Sequence, residues 1–331
     1  MPKNLNIKDR SNYPFSLNEK TISVSKIMCL MQCRQKYYFK YELKIKEELK
    51  YWLTRGVIFH SLTEEFLYNQ DKELDYFVEK GKLLFDEADK DNLLTLPKYL
   101  KKDQVLNHIL GGFSSYYKHV KDINGVNTFE YYDGKNAKQS IELEFRIPFY
   151  DVKTMKPIPG IEYDLHGFID LISFDSHNGY SIRDHKLHKN EYTDFQVETN
   201  LQLALYAYAF KFLYLQGCFE ELTKKNKIIT RAGFNSVKIG KECLLTPINY
   251  DIDDDKLIGA VNIVIDYIKS LQQNIWTPHY SEMCEYACGY KEPCLLRRNN
   301  KDISSFINTL VSETETNLLQ EKLGLSLLIE G

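Results

Sequence analysis

The sequence lacks any run of about 18 apolar residues, the length that a membrane-spanning helix needs. Its first residues also lack the charged-then-apolar region that is typical of a secretory signal. We therefore expect no membrane contact and a cytoplasmic location, where thiols stay reduced. The seven cysteines are then expected to serve as metal ligands or buried apolar side chains before they serve as disulfides.

Two further absences bear on function. No Gly-x4-Gly-Lys-Ser/Thr sequence is present, so the chain has no visible ATP-driven motor of its own. The net charge of −3 does not indicate nucleic-acid binding, although the basic footprint of such binding can be local. Basic residues do cluster locally, at Lys36, Lys40, Lys44, Lys46 and Lys50 and again at Arg297 and Arg298. They form either one binding surface or two ordinary solvated faces.

The composition is that of a globular protein. A chain of 331 residues, 43% hydrophobic and 27% charged, is long enough for one large domain or two ordinary ones. No internal repeat and no low-complexity linker is visible in it. We expect an N-terminal arm over 1–20, a single domain over 21–298 and a helical tail over 299–331.

The spacing of apolar residues predicts helices first, then strands, then helices again. Helical spacing covers 26–40, 55–70, 72–90, 101–121, 197–215 and 253–273, with Ser23 or Ser25 as a cap for the first helix. Strand patterns cover 141–149, 165–174 and 180–186, two or three more strands are expected in 227–249, and 276–298 is expected to be a loop. This order indicates α/β or α+β architecture, and we predict the α/β class, with a mixed central sheet flanked by helices.

Acidic residues and a lysine follow each other on two of these strands. Asp170 ends the sequence Gly-Phe-Ile-Asp, and Asp184 and Lys186 form an Asp-His-Lys triplet after an Asn178-Gly179 hairpin turn. Residues i and i+2 of a strand share a face, so Asp184 and Lys186 point the same way and the hairpin brings Asp170 beside them. Two carboxylates can hold Mg²⁺ or Mn²⁺, and the lysine can orient or deprotonate water or stabilise a phosphate anion. The pattern predicts a metal-dependent phosphodiesterase.

Three other polar pairs have helical or strand spacing. His60 and Glu64 share a helix face, where His60 is either a further metal ligand or a buried core histidine. Gln202 and Tyr206 share the face of another helix; they either contact phosphate and brace the lysine or form a polar helix edge. Glu142 and Glu144 either assist the metal or form the solvated side of a strand.

Three cysteines lie close together near the end of the chain. Cys284, Cys288 and Cys294 are spaced compactly enough to surround one metal or cluster, and thiolates favour zinc or iron–sulfur centres. A zinc knuckle usually has two close cysteine pairs, which this segment lacks. Cys33 lies about 250 residues earlier in the chain.

These motifs together resemble the RecB-type branch of the PD-(D/E)xK nuclease superfamily, over roughly residues 21–298. The resemblance rests on Ser23-Val-Ser25, Cys33-Arg-Gln-Lys-Tyr-Tyr, Arg55-Gly-x3-His60, Gly-Phe-Ile-Asp170, Asp184-His-Lys186 and Gln202-x3-Tyr206, in the expected order. It implies a restriction-endonuclease-like core with a metal held by His60, Asp170 and Asp184. It also implies catalytic roles for Asp170, Asp184, Lys186, Gln202 and Tyr206. Many superfamily members have Glu where this chain has Asp184.

Within that branch, the cysteine layout is similar to that of the nucleases with four cysteines: the AddB nuclease domain, exonuclease V and a CRISPR-associated nuclease. The resemblance implies that Cys33, Cys284, Cys288 and Cys294 hold a 4Fe–4S cluster that joins the N- and C-terminal segments, with zinc as the fallback. The first C-terminal pair here is separated by three residues rather than the usual two. Cys29 is the reserve for Cys33, and Cys218 and Cys243 are expected to be buried bystanders.

The resemblance implies a metal-dependent deoxyribonuclease, an exonuclease acting on single-stranded DNA or DNA with free ends, in repair or recombination. Helicase or integrase proteins are the partners that it implies. One alternative is a CRISPR-adaptation nuclease that trims spacer precursors. The other is a non-catalytic DNA-binding scaffold, against which the complete set of two acids and a lysine argues.

Overall fold

The computed structural model describes residues 15–45, 51–91, 93–132, 137–175, 179–219, 229–286 and 288–307. The chain divides into two compact units. Unit 1 comprises Met1–Thr21 and Lys50–Val261, and unit 2 comprises Ile22–Leu49 and Asn262–Gly331. Unit 2 is therefore built from segments near both ends of the chain. The arm, core and tail expected from the sequence stay a prediction.

The elements follow in chain order. The strands are β1 (Lys20–Ser23), β2 (Glu130–Tyr132), β3 (Ala137–Gln139), β4 (Ile141–Pro148), β5 (Tyr163–Asp175), β6 (Gly179–His188), β7 (Ile229–Lys238) and β8 (Leu244–Asp251). The helices are α1 (Val24–Gln32), α2 (Arg34–Tyr37), α3 (Tyr51–Tyr68), α4 (Leu74–Lys90), α5 (Lys102–Asp122), α6 (Asp194–Glu198), α7 (Leu201–Leu215), α8 (Asp254–Gln272), α9 (Met283–Tyr286), α10 (Lys291–Arg298) and α11 (Ser304–Ile307). A π-helical turn, Tyr38–Glu42, follows α2.

The main sheet has six strands, in the order β1-β5-β6-β7-β8, with β4 also paired to β5. The pairs β4–β5, β5–β6 and β7–β8 are antiparallel, whereas β6 and β7 are parallel. Strands β2 and β3 form a separate two-stranded sheet. The prediction of an α/β fold with a mixed central sheet flanked by helices is confirmed. Within the described ranges, no helix is long and apolar enough to cross a bilayer.

Helices cover both faces of the sheet. α7 packs against β4 to β7. α3 packs against β4 and β6, and α5 packs against β7 and β8, with the ring of Tyr116 on α5 against His185 of β6. α7 is apolar almost all round and buried over most of its length, as expected of a helix inside the core. Neighbouring residues of a strand point to opposite faces, and β6 therefore presents alternate side chains to α7 and to α3 and α5.

Three sequence predictions need correction. The predicted helix 26–40 starts with Ser23 as its cap, through the N–H of Lys26, but it is broken at Cys33, whose extended backbone separates α1 from α2. The predicted helix 197–215 is two helices, since the side chain of Asn200 accepts from the N–H of Leu203 and starts α7 anew. The predicted loop 276–298 contains α9 and α10.

The remaining element predictions have mixed outcomes. The helices expected at 55–70, 72–90, 101–121 and 253–273 are present, and the segment 227–249 forms two long strands, β7 and β8. The predicted hairpin pairs β5 with β6, whereas its tip, 176–178, lies outside the described residues. α11 is the described part of the predicted tail helix, and 308–331 lie outside the description.

One apolar cluster of unit 2 joins residues from both ends of the chain. Phe39, Ile45 and Tyr290 are its fully buried members, and Cys288 and Cys294 pack against them. The hydroxyl of Tyr290 donates a hydrogen bond to the carbonyl of Ile45 over 3.0 Å. Residues early in the chain are thus held to residues near its end by contacts inside this unit.

Candidate active site and cysteine cavity

The pairing of β5 with β6 ends where the acidic residues begin. The last paired residues on this side are Leu171 and Arg183, and Asp170 and Asp184 are the next residues along each strand. Asp170 Oδ2 accepts a hydrogen bond of 2.8 Å from the backbone N–H of His185. The carboxylate of Asp170 therefore accepts the hydrogen bond that a backbone carbonyl of β5 would accept if the ladder continued.

Asp184 and Lys186 share one face of β6, as the sequence predicts. Lys186 Nζ lies 2.7 Å from Asp184 Oδ2, and the Asp184 side chain is only 1% exposed. Lys186 Nζ also donates to Gln202 Oε1 over 3.3 Å, and Gln202 Nε2 donates to the hydroxyl of Tyr206 over 2.9 Å. Because Gln202 and Tyr206 lie one turn apart on α7, this helix fixes the position of the lysine head group.

His60 and Glu142 complete the site from two other elements. His60, on α3, places Nδ1 3.3 Å from Asp170 Oδ2. His60, Glu142 and Asp170 each offer one ligand atom, and these atoms lie within 4.8 Å of one another. Asp184 is outside this group of three and lies beside Lys186, and its role as a metal ligand stays a prediction.

Glu142 is a site residue that the sequence indicated only weakly. In the register of β4 with β5, Ile141 faces Leu171 and Leu143 faces Ile169, so Glu142 stands opposite Asp170. Its backbone has φ of +50°, a left-handed conformation that costs about 1–2 kcal/mol for a residue other than glycine. Glu144, which shares a strand face with Glu142, instead places Oε1 3.3 Å from His166 Nε2.

The carboxyl groups of the site repel one another. Burial and the charge of Asp184 raise the pKa of Asp170 to about 6, although His60 and Lys186 oppose the shift. Burial, followed by the charges of Asp170 and Glu64, raises the pKa of Glu142 well above its ordinary value. Burial and Asp170 also raise the pKa of Glu64. These shifts show that the acidic groups lack sufficient positive charge around them.

The two basic side chains next to Asp184 differ in charge. Burial lowers the pKa of Lys186, but Asp184 and Asp170 more than offset this and leave the pKa raised. The lysine therefore stays charged at neutral pH. Burial and the neighbouring charges of His60 and Lys186 hold the pKa of His185 well below its ordinary value, so its imidazole stays neutral.

A divalent cation fits the group of His60, Glu142 and Asp170. Two carboxylates and an imidazole are ligands that Mn²⁺ accepts, and Mg²⁺ takes the carboxylates. The raised pKa values of Glu142 and Asp170 mean that a bound cation would favour their charged forms. The site thus has the ligands and the unbalanced negative charge that a metal needs.

In unit 2, the four cysteines singled out in the sequence line one cavity of about 280 Å³. Cys33 Sγ accepts from the N–H of His279 over 3.4 Å, and Cys284 Sγ accepts from the N–H of Ser281 over 3.5 Å. Burial raises the pKa of Cys294, and the charges of Cys33, Cys288 and Cys284 add to this shift. The thiols are therefore close enough to interact electrostatically. Within the described part of the chain, however, no three of the sulfurs lie within 4.8 Å of one another.

The other cysteines and the basic residues have different surroundings. Cys29, Cys218 and Cys243 do not line this cavity, and none of the seven cysteines, all of them described, forms a disulfide. Burial raises the pKa of Cys218 to about 12. The guanidinium of Arg297 stacks 4.6 Å from the ring centre of Tyr38, so the two basic segments do meet inside unit 2. Lys46 and Lys50 lie outside the described residues.

Comparison with known proteins gives one informative match. No curated protein matches the sequence. A solved structure described as "Crystal structure of SSO0001" is 14% identical, covers 84% of this chain and 87% of its own, and has a TM-score of 0.33, at which the likeness carries no weight. The sequence model of the PD-(D/E)XK nuclease superfamily matches residues 21–295, most of the chain. The protein therefore belongs to the PD-(D/E)XK nuclease superfamily.

Proposed function

We propose that the protein is a metal-dependent deoxyribonuclease that hydrolyses phosphodiester bonds at the end of the β5–β6 ladder. The observation that carries this proposal is the convergence of His60, Glu142 and Asp170 on one point beside the Asp184–Lys186 pair. Membership of a superfamily of metal-dependent nucleases supports the reaction class. A scaffold without activity would not need this costly set of buried charges.

The side chains divide the chemistry between them. A divalent cation bound by His60, Glu142 and Asp170 would neutralise phosphate charge and lower the pKa of a coordinated water. Lys186, held charged beside Asp184, donates a hydrogen bond to a phosphate oxygen or to the attacking water. The water oxygen attacks phosphorus and releases a proton to solvent, the bond from phosphorus to the leaving oxygen breaks, and that oxygen takes up a proton from solvent. Gln202 keeps the lysine head group in place.

As substrate we propose single-stranded DNA or DNA with free ends, cut as an exonuclease. The support is the resemblance of the motifs to the RecB-type branch, whose enzymes process ends. Helicase or integrase partners, and a place in repair, recombination or spacer trimming, rest on the same resemblance.

We also propose a 4Fe–4S cluster at Cys33, Cys284, Cys288 and Cys294. The support is their shared cavity of about 280 Å³, which is far larger than one ion needs. Zn–S bonds of about 2.3 Å in a tetrahedron would place the sulfurs about 3.8 Å apart. The resemblance to the nucleases with four cysteines favours the cluster, and zinc is the fallback. The cluster would be structural, because phosphodiester hydrolysis transfers no electrons.

Cleavage of end-labelled DNA tests the proposed function. The full-length protein, prepared without oxygen, is incubated with single- and double-stranded DNA in Mg²⁺, in Mn²⁺ and in EDTA. We expect cation-dependent release of labelled products from linear single strands, and none from Asp184→Asn protein. A closed single-stranded circle should resist cleavage, and its efficient cutting would replace the exonuclease with an endonuclease. Absence of cleavage under every condition would contradict the nuclease itself.

A further inference from the structure

Arg55, on α3, is a buried cation with no carboxylate beside it among the residues that the structure describes. The residue is only 8% exposed. Its Nη2 donates to the carbonyl of Leu187 over 3.3 Å, and its guanidinium lies 5.9 Å from the ring centre of Tyr51. The Nε atom is buried and has no hydrogen-bond partner among the described residues. The Nη1 atom makes no hydrogen bond there either, and it is not among the fully buried atoms.

The backbone of β6 shows where this guanidinium points. His188 O accepts from the N–H of Ile239, on the side of β7. Because consecutive carbonyls alternate in direction, Leu187 O points to the opposite edge of β6, the edge on which the N–H of His185 meets Asp170. Arg55 therefore lies on the same edge of β6 as Asp170, beyond the last β5–β6 pair and about 7 Å further along the strand.

A buried charge without a counter-ion is costly, because desolvation disfavours it and nothing repays the loss. Burial accordingly lowers the pKa of Arg55, although a guanidinium stays protonated at neutral pH. Nearby His108 does not balance the charge, since burial and the charge of Arg55 lower the pKa of this imidazole. The planar guanidinium, with two nitrogens not yet bonded, matches an oxyanion such as phosphate.

We propose that Arg55 binds a backbone phosphate next to the scissile one in the bound nucleic-acid strand. This inference rests on the proposed function, which places the scissile phosphate at Asp170 and Lys186. Successive phosphates of a strand would then follow the open edge of β6, from the metal group to Arg55. The argument concerns backbone phosphate alone, so it applies to any base sequence.

The test removes the phosphate charge and the arginine separately and together. Linear single-stranded DNA with a mapped cut site is prepared with a neutral methylphosphonate at each phosphate flanking the scissile one. Wild type, Arg55→Gln and Arg55→Lys proteins are compared, with Arg231→Gln as the matched control. Arg231 is a partly exposed arginine of unit 1, with Asp251 as its partner. Binding in Ca²⁺ and cleavage in Mg²⁺ are both measured.

We expect Arg55→Gln to weaken binding and kcat/KM about tenfold, mainly through KM, and Arg55→Lys to fall between it and wild type. One of the two methylphosphonates should weaken binding and lower kcat/KM of wild type by a similar factor. The same substitution should cause no further loss in Arg55→Gln. The dependence of log affinity on log salt should become shallower by about 1 in Arg55→Gln and not in Arg231→Gln. If Arg55→Gln does not fold, Arg55→Lys carries the comparison.

Equal losses from the methylphosphonates in wild type and in the Arg55 variants would overturn the inference. Its failure is distinguishable from failure of the proposed function. If wild type cleaves DNA but the methylphosphonates cause the same loss in wild type and in the Arg55 variants, only the role of Arg55 is wrong. If the methylphosphonate weakens DNA binding by wild type but not by Arg55→Gln, and no cation supports cleavage, the phosphate site is retained and the proposed nuclease activity is wrong.

Discussion

At the scale of single residues, Lys186 carries the sharpest prediction. Lys186→Ala should lower DNA cleavage by about 10²-fold or more, because it removes the charged donor at the phosphate. It also leaves Asp184 buried without its cation, so we expect a stability loss of about 1–3 kcal/mol. Cleavage rates and thermal unfolding of the same preparation check both effects. Gln202→Ala is the control, since it retains the charge and should lose less activity.

A second residue-scale prediction follows from the pKa of Asp170, which rises to about 6 without metal. The folded state then binds more protons than the unfolded state between about pH 4 and pH 6, so stability falls as pH rises through that window. Above it, the charged form costs about 3 kcal/mol, from a shift of about two units. Asp170→Asn, whose amide oxygen still accepts from His185, should raise the metal-free melting temperature at pH 7.5 but not at pH 4.

The same variant reports metal binding. Mn²⁺ should raise the melting temperature of wild type at pH 7.5 and leave Asp170→Asn nearly unchanged. Glu144→Gln is the matched control, since Glu144 lies on the same strand as Glu142 but contacts His166. A Mn²⁺ shift in Asp170→Asn as large as in wild type would remove Asp170 from the metal group.

Much of the residue-level site could be predicted from the sequence. The i, i+2 spacing places Asp184 and Lys186 on one face, and the i, i+4 spacing does the same for Gln202 and Tyr206. The role of Glu142 could not be predicted in this way, since it depends on the register of β4 against β5 and on a left-handed backbone. The sequence shows Arg55 only as part of a motif, because the absence of a carboxylate beside it among the described residues is a property of the folded chain.

At the scale of elements, strands were easier to predict than helix ends. Alternating apolar residues and the Asn-Gly turn placed β5 and β6 within a few residues. Helix breaks depend on capping hydrogen bonds, which compete with an unbroken apolar pattern. Asn200 starts a new helix inside a continuous pattern, and the extended Cys33 separates α1 from α2. In both places the break positions residues of a candidate site.

The cap of α7 gives an element-scale prediction. Asn200→Ala should cost about 1 kcal/mol, because the first turn of α7 loses the acceptor for the N–H of Leu203. Thr193→Ala removes the equivalent cap of α6, through the N–H of Gln196, and should cost a similar amount. Only α7 carries Gln202, so only Asn200→Ala should also lower the cleavage rate. Equal rates in the two variants would mean that the cap does not position the lysine's partner.

At the scale of the whole molecule, unit 2 assembles residues from both ends of the chain. Cys33 and the three C-terminal cysteines line its cavity, although about 250 residues separate them. No local sequence pattern could predict this meeting, and the expectation came from a family resemblance alone. Two of the cysteines, Cys288 and Cys294, pack against the apolar cluster of Phe39, Ile45 and Tyr290, so bound metal would add to the stability of unit 2. With metal bound, the cavity would then serve folding rather than the hydrolysis itself.

The proposed cluster leads to the final prediction. Protein prepared without oxygen should be brown and contain about four irons per chain. Serine at Cys33, Cys284, Cys288 or Cys294 should bleach the colour and lower the melting temperature, since the binding free energy contributes to folding. Serine at Cys218 or Cys243 should keep the colour. Cys29→Ser is the discriminating variant, because Cys29 lies one helical turn before Cys33 but does not line the cavity. If Cys29→Ser is bleached and Cys33→Ser stays brown, Cys29 and not Cys33 is the N-terminal ligand. Stoichiometric zinc without iron would show a zinc site in place of the cluster, and the proposed nuclease site would be unaffected.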